Sequence, residues 1–360
     1  MAKHRIAIIP GDNVGPEVIH EGLKVLSRLK EVTDLQIEWT SFPWGSEHYL
    51  RTGSVMPPDG LETLAQYEAI YLGALGDPFR VPDRIISWGL VQQVRKAFDQ
   101  YVNLRPISLL PGVLSPLKDP GHIDFVVVRE NTEGEYAGAG GRIHRGHPFE
   151  VVTQISVFTR LGVERVIRFA FQLARRRNGQ KLVTSATKSN AMNYSMAFWD
   201  QVFEEVATEY PDIATERVHI DALTMFLVTR PHHYDVIVAS NLFGDILSDL
   251  GAAVCGGIGL APGANLDPER RYPSMFEPIH GSAPDIAGQG VANPTAAVAA
   301  AGLMLEFLQE EEAAALLRGA VEAVLSEGKV RTPDLGGESS TTEVGDAICE
   351  KIEGLASSQA

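Results

Sequence analysis

The sequence predicts an α/β chain with two lobes, on three observations. Strand-like and helix-like hydrophobic periods alternate along most of its length, the pattern of sheets covered by helices. Its 360 residues exceed what one core usually organises, so each lobe has room for its own. A Gly- and Pro-rich stretch over residues 251–294 interrupts the alternation, and long ordered loops of that kind usually bind something.

Residues 5–9 read as a strand and Pro10-Gly-Asp-Asn as a turn. Val18, Ile19, Leu23, Val25 and Leu26 then mark one face of a helix that starts near Gly15. A strand over 35–41, helical stretches over 44–50 and 59–66, a buried strand over 69–72 and a helix over 90–100 follow. Tyr101-Val-Asn-Leu reads as a strand running into Arg105, 123–128 as a continuous apolar strand, and 151–158 as an alternating one. A helix over 163–176, a strand over 181–184 and a helix over 192–209 come next. Residues 218–220 and 236–239 are short strands, each running into a polar turn and a helix. Beyond the long loop, helical segments over 295–309, 311–326 and 342–355 precede a small polar tail expected to be mobile.

The formal net charge of −15 repels phosphate backbones, and no long Lys/Arg stripe offsets it, so nucleic acid is not an expected partner. Arg175, Arg176 and Arg177 end a helix, where cations suit the last carbonyls. Cys255 and Cys349 lie far apart without metal-ligand spacing, which suggests neither a disulfide framework nor a zinc site and fits a reducing cytoplasm. The first apolar run, residues 6–9, stops at Pro10, far short of a signal sequence or a membrane span, and no later segment reads as one.

No G-x-G-x-x-G links a strand to a helix, so a nicotinamide cofactor would be held in some other way. The opening turn also lacks the Lys-Ser/Thr of a P-loop. Asp245 and Asp249 lie four apart in Asn241-Leu-Phe-Gly-Asp-Ile-Leu-Ser-Asp, which puts two like charges one turn apart on one helix face. An external cation would relieve their repulsion, and oxygen ligands select a hard ion such as Mg²⁺ or Mn²⁺. On spacing alone an exposed acidic face is the commoner explanation. Asp221 ends another expected strand at the same sheet edge, where α/β sites gather.

Arg95 on a helix, Arg105 just after a strand and Arg129 at the end of an apolar strand suit carboxylates with their planar forks. Each taken singly is more often a structural ion pair. Tyr136 and Lys188 stand beyond strand ends, in expected loops, and taken singly would be ordinary surface residues.

Together and in order, these motifs resemble the decarboxylating dehydrogenases, the family of isocitrate, isopropylmalate, tartrate and D-malate dehydrogenases. The matching segments are Pro10-Gly-Asp-Asn-Val-Gly-Pro-Glu, Asn103-Leu-Arg-Pro, Arg129-Glu-Asn-Thr-Glu-Gly-Glu-Tyr, Thr187-Lys-Ser-Asn, Asn241 to Asp249, and Glu277-Pro-Ile-His-Gly-Ser-Ala-Pro-Asp-Ile-Ala-Gly. The resemblance implies a discontinuous large lobe, residues 1–101 and 256–360, a small lobe over 102–255 that supplies a dimer contact, and an active-site cleft between them. It implies that Arg95, Arg105 and Arg129 grip substrate carboxylates, and that Asp245 and Asp249, with Asp221 from a second subunit, hold the divalent metal. Lys188, also reaching across from that subunit, then takes part in deprotonating the C2 hydroxyl. Tyr136 protonates the enol left when carbon dioxide departs. A homodimer with shared active sites follows.

By the same resemblance Glu277, His280, Gly281, Ser282, Ala283 and Ile286 line the cofactor, with Asn293 placed for the adenine. Asp285 points to NAD, since a carboxylate accepts from a free ribose 2′-OH and repels a 2′-phosphate; it could equally cap a turn. Trp88, Leu90 and Val91 are expected to form a substrate wall with nothing to hold a third carboxylate, although apolar helix positions are usually core. Phe42-Pro-Trp-Gly-Ser-Glu, Gly73-Ala-Leu-Gly-Asp-Pro and Gly140-Gly-Arg-Ile-His-Arg look most like the tartrate and D-malate branch. Asn13 stands where relatives often carry Gly, and tolerates a left-handed turn.

The expected activity is therefore NAD- and metal-dependent oxidation and decarboxylation of a small 2-hydroxy dicarboxylic acid. The alternatives are 3-isopropylmalate as substrate, or a catalytically silent regulatory subunit. Mg²⁺ or Mn²⁺, and whether a monovalent cation assists, are left open.

Overall fold

A computed structural model describes residues 3–359. The strands are β1 (His4–Ile9), β2 (Ile37–Ser41), β3 (Ala69–Leu72), β4 (Val102–Ser108), β5 (Asp124–Glu130), β6 (Gly134–Ile143), β7 (Val151–Val157), β8 (Leu182–Thr187), β9 (Ala214–His219), β10 (Val236–Ala239), β11 (Pro262–Leu266) and β12 (Ser274–Pro278). Two compact units divide the chain. The first comprises Met1–Gln100, Ser108–Lys118 and Ala252–Ala360, the second Tyr101–Ile107 and Asp119–Gly251. Segment 108–118 joins the first unit because Gly112 seats against the backbone of Leu325, where a β-carbon would lie 2.2 Å from the Leu325 carbonyl oxygen.

In the first unit the strands lie in the order β2-β1-β3-β12-β11. All neighbours are parallel except β11 and β12. β1 and β3 are apolar and buried almost throughout, as strands covered on both faces must be. Ala7, Ile9, Ile70 and Leu72 meet a core of Trp44, Leu64, Leu90, Val94 and Phe98. Helices Gly15–Val32, Thr295–Phe307 and Thr341–Gln359 also belong to this unit. Because β1, β3 and β12 are parallel, the turns after them leave the same sheet edge.

In the second unit the order is β4-β5-β10-β8-β9, with β5, β10, β8 and β9 parallel. β6 and β7 form a separate antiparallel hairpin. Helix Arg160–Arg177 ends on the three arginines, of which Arg175 pairs with Asp212 and Arg177 with Asp124 and Asp235. That run is a paired helix end.

Several expected boundaries differ. The 251–294 stretch contains β11 and β12, whose Pro and Gly residues hide a strand period too short to stand out. Glycines at 134, 138, 140 and 141 hide β6 in the same way, so Tyr136 lies in a strand and not a loop. Arg105 lies within β4 rather than after it. β9 starts at Ala214, and Asp221 sits in the first turn of helix Ile220–Thr229. The last helix runs to Gln359, so the tail expected to be mobile is helical through its described residues. Among the described residues no helix is long and apolar enough to cross a membrane.

Candidate active site

In the second unit the aspartate helix, Asn241–Val254, faces three strands that bring Arg129, Arg105 and Tyr136 to it. Arg129 lies in β5, level with Ala239 of β10, and is 2% exposed. It donates to Asp245 Oδ1 and, through Nε and Nη2, to Asn241 Oδ1 at 3.1 and 2.8 Å. Arg105 of β4 donates from Nη1 to Asp245 Oδ1 at 3.2 Å and to Ser248 Oγ at 2.6 Å, with Asp249 Oδ1 at 3.6 Å. The hydroxyl of Tyr136 donates to Asp245 Oδ2 at 3.2 Å. Asp245 and Asp249 thus share one helix face, as their spacing predicts, and the acidic face is met by buried cations.

The ionisations follow from this packing. Burial first, then the neighbouring Asp245 charge, push the Tyr136 hydroxyl above its ordinary value, so it keeps its proton. Burial also raises the Asp249 carboxyl, Arg105 opposing and Asp245 reinforcing the change. A second polar layer, which the sequence reading missed, fixes the Tyr136 strand to the helix. Glu135 accepts from Ser240 Oγ at 3.0 Å and from the Leu242 N–H at 3.1 Å, capping the helix start, while Asn241 Nδ2 donates to the Glu133 carbonyl at 3.2 Å. Glu130 shapes the turn before it by accepting from Thr132 N and Oγ1, both at 2.8 Å, and from Glu133 N at 3.0 Å. Their only signal was membership of the motifs around Arg129 and Asn241.

Lys188 and Asp221, in the same unit, form a pair of their own at 2.7 Å. The ammonium donor holds the Asp221 carboxyl below the usual range. Among the described residues no three His, Cys, Asp or Glu side chains converge as a metal site, so Asp221 does not complete the Asp245–Asp249 pair within one chain.

In the first unit Arg95 is buried and donates from Nη2 to Glu277 Oε1 at 2.9 Å, which Asn265 Nδ2 also reaches at 2.8 Å. Glu277 is therefore an anchor for Arg95. His280 Nδ1 lies 2.9 Å from the Gly281 carbonyl, and burial pushes the imidazole towards its neutral form. In the neutral ring Nδ1 then donates, leaving Nε2 an acceptor, and Nε2 is buried with no partner. A β-carbon on Gly281, Gly288 or Gly290 would meet nothing within 4 Å, so this backbone is open. Ser282 is tied back to the first turn: its carbonyl accepts from Val14 N at 3.1 Å and its Oγ from Asn13 Nδ2 at 3.5 Å. Asn13 has φ +53°, the left-handed turn expected of it. Ala283 adopts φ +41°; Asp285 is exposed and Ile286 half-buried. Asn293 spends its amide within the protein, donating to Asp334 Oδ2 and accepting from Thr295 N, both at 3.0 Å.

The expected substrate wall is the part the structure revises. Leu90 is wholly inside the core, Val91 packs against it, and Trp88 is exposed beneath Lys96 Nζ at 4.8 Å.

The sequence matches the isocitrate/isopropylmalate dehydrogenase family over residues 5–348. The chain belongs to that family. A probable tartrate dehydrogenase/decarboxylase of Bacillus subtilis (strain 168) is 51% identical over 356 residues, covering 99% of both chains. A decarboxylating D-malate dehydrogenase of Escherichia coli (strain K12) is 51% identical over 360 residues, covering 98% of this chain and 99% of that one. The isocitrate dehydrogenase of Methylococcus capsulatus has a similar structure, with a TM-score of 0.89 at 36% identity, covering 97% of this chain and 99% of that one. As a member of the isocitrate/isopropylmalate dehydrogenase family, the protein is a dehydrogenase with the isocitrate dehydrogenase-like α/β fold. Its residues suit the groups such a reaction needs. Two hard oxygen donors one helical turn apart fit a divalent cation that has a third ligand to gain. An orphaned buried acceptor beside open glycines fits a nucleotide hydroxyl.

Proposed function

We propose that the protein oxidises a small 2-hydroxy dicarboxylic acid, D-malate or tartrate, with NAD and a divalent cation, and removes the β-carboxylate of the oxidised product as carbon dioxide. The observation that carries the reading is the convergence of Arg105, Arg129 and Tyr136 on Asp245, beside Asp249. The names of the half-identical relatives support the substrate class.

Asp245 and Asp249, with Asp221 of the partner subunit, would hold Mg²⁺ or Mn²⁺, and His280, Gly281, Ser282 and Asp285 would hold NAD. When bound, the cation supplies Lewis acidity at the substrate oxygen and NAD accepts the hydride. Arg105 and Arg129 offer paired N–H groups to the substrate carboxylates, as does Arg95. Lys188 of the partner subunit receives the proton of the C2 hydroxyl while the C2 hydrogen leaves as hydride. The C3–C4 bond then breaks, its electron pair remains towards C3, and carbon dioxide departs. Tyr136, kept protonated by its surroundings, returns a proton to C3. D-Malate gives pyruvate by this route.

Pairing of two chains is part of the proposal. Met225 and Val228 on helix Ile220–Thr229, Ile246 on the aspartate helix, and Val152 and Ile155 on β7 are all exposed apolar side chains, of the kind a partner covers. Turnover of D-malate, the tartrate isomers and 3-isopropylmalate with NAD and Mn²⁺, together with the mass in solution, tests the reading. Activity that persists after chelation and dialysis removes the aspartate assignment, and a catalytically active monomer removes the shared site.

A further inference from the structure

The helix that carries Arg95 changes its winding just before it. Asp83–Ile86 is α-helical, Ser87–Val91 is a π-turn closed by the Gln92 N–H on the Ser87 carbonyl, and Gln92–Ala97 is α-helical again. A π-turn amounts to one inserted residue. It therefore rotates the preceding residues by about 100° relative to those after it. Gly89 seats this turn against buried Val55, where a β-carbon would lie 2.5 Å from Val55 Cγ2, and a branched valine does not yield readily.

The insertion decides which side chains share a face with Arg95. In an unbroken α-helix Trp88, seven residues earlier, would stand above Arg95 two turns away. With one residue added, that place passes to Ser87. Trp88 aligns instead with Lys96, eight residues on, whose Nζ sits 4.8 Å over the indole ring. Gln92, three residues before Arg95, stays on its face. Gln92 is 7% exposed, yet its Oε1 has no hydrogen-bond partner, and neither does Arg95 Nε. Buried polar atoms left this way are costly unless something else completes them.

We infer that Ser87 and Gln92 are specificity-determining residues, which hydrogen-bond a hydroxyl of the four-carbon dicarboxylate whose carboxylate Arg95 receives. The inference rests on the proposed function. It names what that reading left open, because a face lined by a hydroxyl and an amide welcomes the second hydroxyl of tartrate and disfavours an alkyl branch.

The test compares kcat/KM for meso-tartrate and 3-isopropylmalate, with NAD and Mn²⁺, in the wild type, Ser87→Ala, Gln92→Leu and Trp88→Phe. Ser87→Ala and Gln92→Leu should each lower the tartrate-to-isopropylmalate ratio by about tenfold or more, and by more than Trp88→Phe does. A Trp88 effect as large as theirs, or an unchanged ratio in both polar variants, overturns the inference. Fluorescence reads the register without turnover. The Trp88 component, taken as the difference between proteins with and without Trp88→Phe, should change on Lys96→Ala, and no change overturns the register. Turnover of D-malate without turnover of tartrate overturns the assignment of Ser87 and Gln92 and leaves the proposed function standing. A wild type that turns over neither these acids nor D-malate sinks the proposed function, while fluorescence still decides the register.

Discussion

Glu130 makes the stability of the Tyr136 turn depend on pH. Its carboxyl lies at the end of β5, 2% exposed, and burial raises it from 4.5 to about 6 against the pull of its three hydrogen bonds. At about 1.36 kcal/mol per pH unit, ionising it in the folded chain costs about 2 kcal/mol more than in the unfolded one. The folded state holds this proton more tightly, so the stabilisation is whole below pH 4.5 and lost as the pH rises through 6. Glu130→Gln removes the titration while keeping the shape. Urea unfolding near pH 5 and near pH 7.5, wild type minus variant, should then differ by about 1.2 kcal/mol, with the wild type gaining at the lower pH. Other titrating groups cancel in that difference. A flat difference, or one of opposite sign, would refute the reasoning.

Lys188→Met should lower turnover by about 10²-fold or more with an unchanged circular dichroism spectrum; near-normal turnover removes its role as base. Tyr136→Phe should depress steady-state formation of pyruvate from D-malate by about 10²-fold while NAD still binds, as read by equilibrium titration. Asp285→Lys should shift the ratio of kcat/KM for NAD over NADP towards NADP, and an unchanged ratio dismisses Asp285 as the discriminator.

Strong hydrophobic periods coincide with elements of the structure. Residues 69–72 and 236–239 are strands to the residue, because continuous β-branched and apolar runs leave few other solutions. Asp245 and Asp249 were legible because a four-residue spacing has a single helical meaning. What the sequence concealed depends on backbone detail or on distant partners. The helix expected over 90–100 begins earlier, at Asp83, and nothing in Ser-Trp-Gly-Leu-Val announces the π-turn over Ser87–Val91. Leu90, expected on a substrate wall, is buried in a core cluster whose members, among them Ala7, Trp44 and Met275, come from distant parts of the chain. The tie of Glu277 to Arg95, 182 residues away in sequence, has no local trace.

Asp245 Oδ1 accepts from both Arg105 and Arg129, and that shared acceptor has a thermodynamic corollary. Guanidinium donors engaged there are withheld from an incoming carboxylate, and a carboxylate so engaged is withheld from an incoming cation. On the proposed function, arrival of either ligand would liberate the groups awaited by the other. On that same reading, linkage then requires each to tighten the other's hold by the same factor, so substrate affinity measured at low cation would report on the cation as much as on the acid.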